Sequence, residues 1–434
     1  MDNQNTPLRQ AHHGRGALYV AMGSVGLYFL ALALFNNRPI ADEGYHLRAV
    51  QWFCDGHWPP PHFLPMLPGY HLLALVPAKL FGTNVLVLRA FNLVMAWAAI
   101  ALAYGIIRQT NQPNAGDALL HFAWNPVLFP CMVLAYTDLP ALLWVVAAAY
   151  LYCRQRFVLS ALALLLACLM RQSSIVWAGL MAAWAAADVW QQRRSVRQRH
   201  GSGGDSLTAA VGRVLQAATR RAWPYGVLGA TAIVFFALRG QVTFGSERAN
   251  RPAFNVAQFY LFGLFLALLW TPIWLACLRR EWETVFRPRL MRASGIGFLT
   301  AVVALLVLTY ENPHPWNQGL DYLKNWPLVM MSDSLIWRTL ACLVIVTGGC
   351  AAVGHIWLQP QRSMLIIVLL FVLVFLLPQS LAEPRYYIVP VFFINLFARY
   401  RAREARRLTF WYGLMSAIVA ARVCLWDEAT GGVW

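Results

Sequence analysis

Long apolar runs separated by short polar breaks fill this chain. They can be drawn at 16–36, 85–107, 117–135, 137–153, 157–170, 173–190, 222–239, 257–278, 294–309, 336–357, 363–377, 386–399 and 408–426. A helix crossing a bilayer needs about 20 apolar residues. The pattern therefore predicts an all-α polytopic membrane protein with about thirteen transmembrane helices, forming one domain over residues 1–434. The stretch 157–190 is read as two short helices turning near Arg171, because one continuous span would invert the orientation of everything downstream. With Arg9 and Arg15 on the cytoplasmic side, the cytoplasmic loops then hold Arg154 and Arg156, the cluster Arg193, Arg194, Arg197 and Arg199, the arginines from Arg279 to Arg292, and those from Arg399 to Arg407. That distribution meets the positive-inside rule. The opposite connections carry acids, among them Asp42, Glu43, Asp138, Glu311, Asp321 and Glu383.

Two outer loops are long enough to build a site, residues 37–84 and residues 310–335. In the first, Asp42, His46, Ala49 and Phe53 fall on one helical face, which predicts an amphipathic helix lying in the interface with the acid and the histidine four residues apart. The stretch 67–81 is apolar but short and interrupted by proline, so it is expected to lie in the interface or to dip in and out. Residues 191–221, with GSGGDS at their centre, read as a flexible basic loop on the inner side. No repeat of fixed period is present.

Composition agrees with the bilayer as solvent, since 59% of residues are apolar and only 12% charged. A net charge of +17 would suggest nucleic acid in a soluble protein. Here the arginines gather in alternate loops, so they are orientation signals and no nucleic-acid partner is expected. The eight cysteines occur singly, most of them inside apolar runs, with no metal-ligand spacing, so neither a metal site nor a disulfide framework is implied. The first apolar run lacks a small-residue cleavage pattern and reads as a retained span.

Acids beside hydrocarbon are costly and so are functional candidates. Two readings stay open for Asp42 and Glu43. They are N-terminal helix carboxylates complementing the macrodipole, at most about 1 kcal/mol, or they serve chemistry. The chemistry that suits them is transfer of a sugar from a polyprenyl phosphate to a hydroxyl, in which a carboxylate takes the hydroxyl proton and the lipid phosphate departs. Arginines would meet that phosphate by forking onto its oxygens, without a metal or cofactor. The outer candidates are Arg171, which interrupts some thirty apolar residues, with Arg248, Arg251 and Arg385. Arg385 stands beside Glu383 and equally suits a structural ion pair. His46 either orients the acid, contacts phosphate or is an interfacial histidine. Asp55 and His57 read as turn residues, and Trp52, Trp58 and Trp316 as interface anchors or sugar-stacking rings.

Several segments resemble, in order, the eukaryotic terminal α-1,2-glucosyltransferases of the dolichol pathway. DEGYHLRAVQWFCDGHW followed by LPMLPGYHLLAL resembles that family's first luminal loop, LVLRAFNLV its next helix, LMRQSSIVWAGL its R-Q-T-N-I-I-W stretch, GSERANRPAFNVAQFYLF a later loop, and AEPRYYIVPVFF its A-D-N-R-H-Y segment. The resemblance implies a GT-C type fold, a polyprenyl-phosphate hexose donor, an inverting mechanism and a glycan or lipid-linked acceptor outside the membrane. Carried across, Asp42 and Glu43 match the acidic pair, His46 the histidine, Arg171 and Gln172 the R-Q, and Arg385 and Tyr386 the R-x-Y. Ser173 and Ser174 replace the family's Thr-Asn, Glu383 and Pro384 replace Asp-Asn, and the histidine between Arg and Tyr is missing.

The expectation is thus a hexosyltransferase, with glucose as the sugar, Asp42 as base, Glu43 in reserve, and Arg171, Arg385, Arg248 and Arg251 on the donor phosphate, supported by His46, Gln172 and Tyr386. Short loops and arginine-rich composition point to a bacterial inner membrane with the site facing the periplasm, the alternative being the endoplasmic reticulum. A further reading within the enzyme class is a GT-C relative that transfers mannose, arabinose or an amino sugar, and the rival function is a transporter or flippase of lipid-linked sugars. Its usual related halves with broken helices are not seen in this sequence.

Overall fold

The computed structural model describes residues 6–200, 207–240, 242, 252–277, 289–318 and 325–425, and among these the secondary structure is entirely helical. The helices relevant to the site are α1 (Thr6–Phe35), α2 (Glu43–Cys54), α3 (Gly69–Phe81), α4 (Val85–Gln109), α5 (Ala115–Ala123), α6 (Asp138–Cys153), α7 (Phe157–Met170), α8 (Ile175–His200), α9 (Leu207–Arg239) and α10 (Ala257–Leu269). They are followed by α11 (Thr271–Cys277). Completing the chain are α12 (Arg289–Thr309), α13 (Pro315–Gln318), α14 (Trp326–Asp333), α15 (Leu335–Trp357), α16 (Arg362–Leu376), α17 (Ile388–Phe397) and α18 (Ala402–Cys424).

Segments of α1, α4, α9 and α15 are long and apolar enough to cross a membrane, and α10 with α11 makes a fifth candidate bent by 76°. Large apolar side chains stand exposed along them, such as Leu34 on α1 and Leu238 on α9, as expected where lipid rather than water is the surroundings. The chain is a membrane protein. Among the described residues this is fewer full-length spans than the apolar runs suggested, for physical reasons. The run 117–135 stops as a helix at Ala123 and continues as an irregular buried segment, because Pro126 and Pro130 cannot prolong it. The run 386–399 opens with a 3-10 turn, Pro384–Tyr387, leaving ten residues for α17. Helices α6, α7 and α16 are apolar but shorter than a full crossing.

The stretch 191–221 also differs from the loop expected of it. Helix α8 runs on to His200 and α9 begins at Leu207, because glutamine, arginine, alanine and leucine are good helix formers; GSGGDS itself, residues 201–206, lies outside the described residues. The break expected near Arg171 is present. Helix α7 ends at Met170, Arg171 is extended, a 3-10 turn spans Gln172–Ser174, and α8 starts at Ile175.

The interior packs α6 against α4 and α7, α8 against α9 and α16, and α1 against α4 and α5. Trp177 of α8 lies between Phe375 of α16 and Phe393 of α17, with ring centroids 5.2 and 5.5 Å away. One close approach positions the site. A side-chain carbon on Gly69 would lie 2.5 Å from the backbone oxygen of Leu169, so only glycine lets the start of α3 rest on the end of α7. Just beyond, the Gln172 side-chain amide donates to the Pro65 carbonyl at 3.1 Å. The segment before α3 is thereby fixed against the α7–α8 break.

Candidate active site

A cavity of about 420 Å³ opens where four interruptions of helix meet: the entry to α2, the segment before α3, the α7–α8 break and the 3-10 turn before α17. Asp42, His46, Arg171, Gln172, Arg385 and Tyr386 all line it, as does Trp316 of α13. Apolar side chains, among them Ile175, Val176 and Phe375, complete the wall. Among the described residues no group of three His, Cys, Asp or Glu side chains is placed to hold a metal ion.

Asp42 is the N-cap residue of α2, yet its carboxylate caps no helix N–H. It accepts instead from the Arg385 guanidinium at 2.6 Å, across 343 positions of sequence. Arg385 also forks onto Glu383, through a 3.0 Å bond from Nη2 and a closer one from Nε, and lies over the Tyr136 ring at 5.3 Å. Arg171 pairs with Asp138, the first residue of α6, and lies 5.1 Å over the Tyr386 ring. Both guanidiniums are therefore held by a carboxylate on one side and an aromatic face on another, which keeps them charged and oriented at the cavity wall.

Glu43 faces the other way. Its side chain is fully buried and does not line the cavity. Arg89 of α4, also fully buried, donates to it from Nε at 3.0 Å and from Nη2 at 2.5 Å. The backbone N–H groups of Ile40 and Ala135 donate to the same carboxylate at 2.9 and 2.8 Å. The remaining donors of Arg89 reach the carbonyls of Asn36 and Arg38. One ion pair thus ties together the exit of α1, the start of α2, α4 and the segment before α6. It also holds Ala41 at φ +47°, a left-handed conformation that costs a non-glycine residue about 1 kcal/mol. That turn aims consecutive carboxylates in opposite directions, Asp42 into the cavity and Glu43 into the protein.

Behind Asp42, His46 Nδ1 and His71 Nε2 are 3.0 Å apart. Burial pushes the His46 imidazole down to about 4, against the upward pull of Asp42 and with help from Arg385 and Arg171. Burial, then the neighbouring His46, lower His71 as well. Both rings are therefore neutral at pH 7. Among the described residues the far nitrogen of His71 has no hydrogen-bond partner, and an orphaned lone pair is better tolerated than an orphaned N–H. The tautomers follow from this: His71 donates from Nε2 to His46, and His46 carries its proton on Nε2.

Of the other residues singled out by sequence, Arg248 and Arg251 lie outside the described residues. Asp55 is the C-cap of α2 and accepts from Gln51, while His57 stacks on Trp52 at 4.5 Å, and neither lines the cavity. Trp52 and Trp58 are also outside its lining. Arg89 and His71 were missed, and Asp138 was noted only as one of the outer-side acids. Arg89 interrupts an apolar 25-residue helix and carried the same signal that drew attention to Arg171.

Comparison with known proteins finds relatives over most of the chain. The chain is 23% identical over 419 residues to the Dol-P-Glc:Glc(2)Man(9)GlcNAc(2)-PP-Dol alpha-1,2-glucosyltransferase of Debaryomyces hansenii, covering 86% of each. It is 34% identical over 189 residues to the Arabidopsis thaliana enzyme of the same name, covering 37% of this chain and 36% of that one. Among solved structures, ArnT from Cupriavidus metallidurans bound to undecaprenyl phosphate aligns over 94% of this chain and 80% of its own, at 14% identity and a TM-score of 0.38. A family model matches residues 36–396, a range that holds Asp42, Glu43, Arg89, Arg171 and Arg385, and the chain therefore belongs to the DIE2/ALG10 family.

Proposed function

We propose that this protein is a membrane glycosyltransferase that moves a hexose, glucose in the first instance, from a polyprenyl-phosphate donor to a hydroxyl of a glycan or lipid-linked acceptor. The observation that carries the reading is the Asp42–Arg385 pair at 2.6 Å in a cavity that Arg171 shares. Family membership supports the same chemistry, since the relatives of known activity are named for glucose transfer from a dolichol-linked donor.

Asp42 acts as general base. It takes the proton of the acceptor hydroxyl as that oxygen attacks the anomeric carbon, and the bond to the lipid phosphate breaks with its electron pair leaving on phosphate oxygen. A single displacement inverts the configuration at that carbon. Arg385 and Arg171 meet the phosphate, whose charge competes with Asp42 for the Arg385 guanidinium. Binding of donor thereby weakens the ion pair that holds Asp42 ionised and makes its carboxylate a better proton acceptor. Two guanidiniums supply the positive charge the leaving group requires, so turnover is expected without a divalent metal. His46, with its proton on Nε2, donates a hydrogen bond to a substrate oxygen, and Gln172 and Tyr386 fix the loop and the Arg171 guanidinium. Glu43 has a positioning role through Arg89.

We assign the fold to the GT-C type, with about thirteen membrane crossings once the shorter apolar helices are counted, and α2 and α3 in the outer loop 37–84. The alternation of arginine-rich and acid-rich connections supports that topology. Short loops and arginine-rich composition support a bacterial inner membrane with the cavity open to the periplasm. There the donor is an undecaprenyl-phosphate sugar and the acceptor an envelope glycan or lipid.

Purified protein in lipid, given polyprenyl-phosphoglucose and a glycan acceptor, tests the reading by formation of a new glycosidic bond. The Asp42→Asn variant should insert and fold normally and lose roughly 10²–10⁴-fold in turnover. Near-normal transfer by that variant overturns the assignment of the base. Movement of donor across the bilayer with no glycosidic bond formed overturns the enzyme in favour of a flippase.

A further inference from the structure

A second polar cavity, of about 300 Å³, lies at the other end of the helices that carry the first. Its wall includes Tyr152, 14 residues beyond Asp138 on α6, and Asp188, 13 residues beyond Ile175 on α8. At 1.5 Å per residue, each stands roughly 20 Å along its helix from the first cavity. Two guanidiniums border the space from separate elements, Arg221 of α9 and Arg399 just after α17. Arg221 is held by the Gln192 side chain at 3.3 Å and lies 5.9 Å over the Phe157 ring. Arg399 is half-buried and donates to the Leu396 carbonyl at 3.3 Å, while Gln359 accepts from its backbone N–H at 2.9 Å. Neither arginine makes an ion pair among the described residues. The acid of the cavity, Asp188, accepts from the Tyr152 hydroxyl at 2.7 Å. The charges of the wall are therefore two cations against one anion, and the side-chain amides of Gln192 and Gln361 share the same wall.

From this arrangement we infer that the second cavity binds the phosphodiester head group of an anionic membrane lipid, its phosphate between Arg221 and Arg399 and its hydroxyls on the glutamine amides. One negative charge makes the site neutral. Guanidiniums suit phosphate oxygens because they fork onto two of them at once. Glutamine amides both donate and accept, as a hydroxylated head group requires. The position also fits, since arginines of the adjoining connections, Arg154, Arg156, Arg401 and Arg403, mark this end as the one that faces an anionic leaflet.

The test is retention of lipid by the full-length protein. Protein purified from vesicles of phosphatidylglycerol mixed with phosphatidylcholine is examined by native mass spectrometry, beside the Arg221→Gln/Arg399→Gln variant. The intact protein should keep phosphatidylglycerol in preference to phosphatidylcholine, and the variant should lose that preference by roughly tenfold or more. An Arg221→Lys/Arg399→Lys variant, which keeps both charges, should retain part of it and controls for folding. Equal retention of both lipids by the intact protein, or an unchanged preference in the glutamine variant, overturns the site. Displacement of the lipid by millimolar glycerol phosphate or inorganic phosphate overturns the lipid as occupant in favour of a soluble phosphate.

Discussion

The sharpest test of how this site is built separates two adjacent carboxylates, Asp42 and Glu43. Glu43 is fully buried, and so is its partner Arg89. Replacing Arg89 with Met leaves a carboxylate in the interior with two backbone N–H donors and no counter-charge, and it also strips the donors from the carbonyls of Asn36 and Arg38. Removing one member of a buried ion pair costs about 3–5 kcal/mol, mostly the penalty of the stranded charge. Glu43→Gln strands the Arg89 guanidinium in turn, and its amide NH2 faces donors that a carboxylate oxygen had accepted from. Its cost is also about 3–5 kcal/mol, set by the stranded cation and the lost charge-assisted bonds. The double variant removes the stranded charge from Arg89→Met, so it should be more stable than Arg89→Met alone even though it carries one more substitution. The assay is thermal unfolding of the four proteins in lipid, with turnover measured per folded molecule. Asp42→Asn supplies the opposite profile, near-native unfolding with lost turnover. The reasoning is refuted if Glu43→Gln unfolds like the parent yet is inactive, or if the costs of the two buried substitutions simply add.

Other outcomes follow from the same geometry. Gly69→Ala forces α3 off α7, where the added carbon would lie 2.5 Å from the Leu169 oxygen, and should cost about 1–3 kcal/mol in unfolding free energy and lower turnover with it. Ala41→Gly relieves the left-handed turn and should raise the unfolding temperature, by up to about 1 kcal/mol in stability, with catalysis unchanged. His46 is held neutral in the fold, its pKa lowered from 6.5 to about 4, so unfolding takes up a proton between those values. Stability is then complete above pH 6.5 and falls as the pH is lowered towards 4, and His46→Gln should flatten that dependence in a pH series of melts. Transfer activity should survive EDTA, and a requirement for added divalent cation would show that the guanidiniums do not suffice.

Much of the site was legible because cost marks function along a membrane chain. An arginine at residue 171, in the middle of apolar sequence, needed a partner, and the structure supplies Asp138 and the Tyr386 ring. Asp42 and His46 were visible through their spacing on one helical face. What the sequence could not give was direction. Asp42 and Glu43 are neighbours of the same chemistry, and only the left-handed turn at Ala41 and the position of Arg89 on α4 send one into a cavity and the other into the core. Long-range partners were equally hidden, since the chain separates Asp42 from Arg385 by hundreds of residues. The lengths of individual helices were less legible, because apolar composition does not show where Pro126, Pro130 and Pro384 stop a helix.

These breaks explain why the cavity sits where it does. An intact helix satisfies its own backbone and offers a bilayer only side chains, so polar chemistry at its middle has to be carried by isolated charges. Where helices end, free N–H and C=O groups already demand polar company, and the added cost of a carboxylate or guanidinium is smaller there. In this protein Asp42 heads α2, Asp138 heads α6, Arg171 stands between α7 and α8, and Glu383 with Arg385 precedes α17. Each charge is therefore attached to a helix end, and Asp42 with Arg385 and Arg171 with Asp138 pair charges from different ends. If that principle holds, inserting a single alanine after Ser174 should abolish transfer while sparing most of the fold. It would turn α8 by about 100° relative to the α7–α8 break and separate Arg171 from the wall formed by Ile175 and Val176. Retained transfer in that insertion variant would show that the break tolerates slack and that the pairing of helix ends is not what shapes the site.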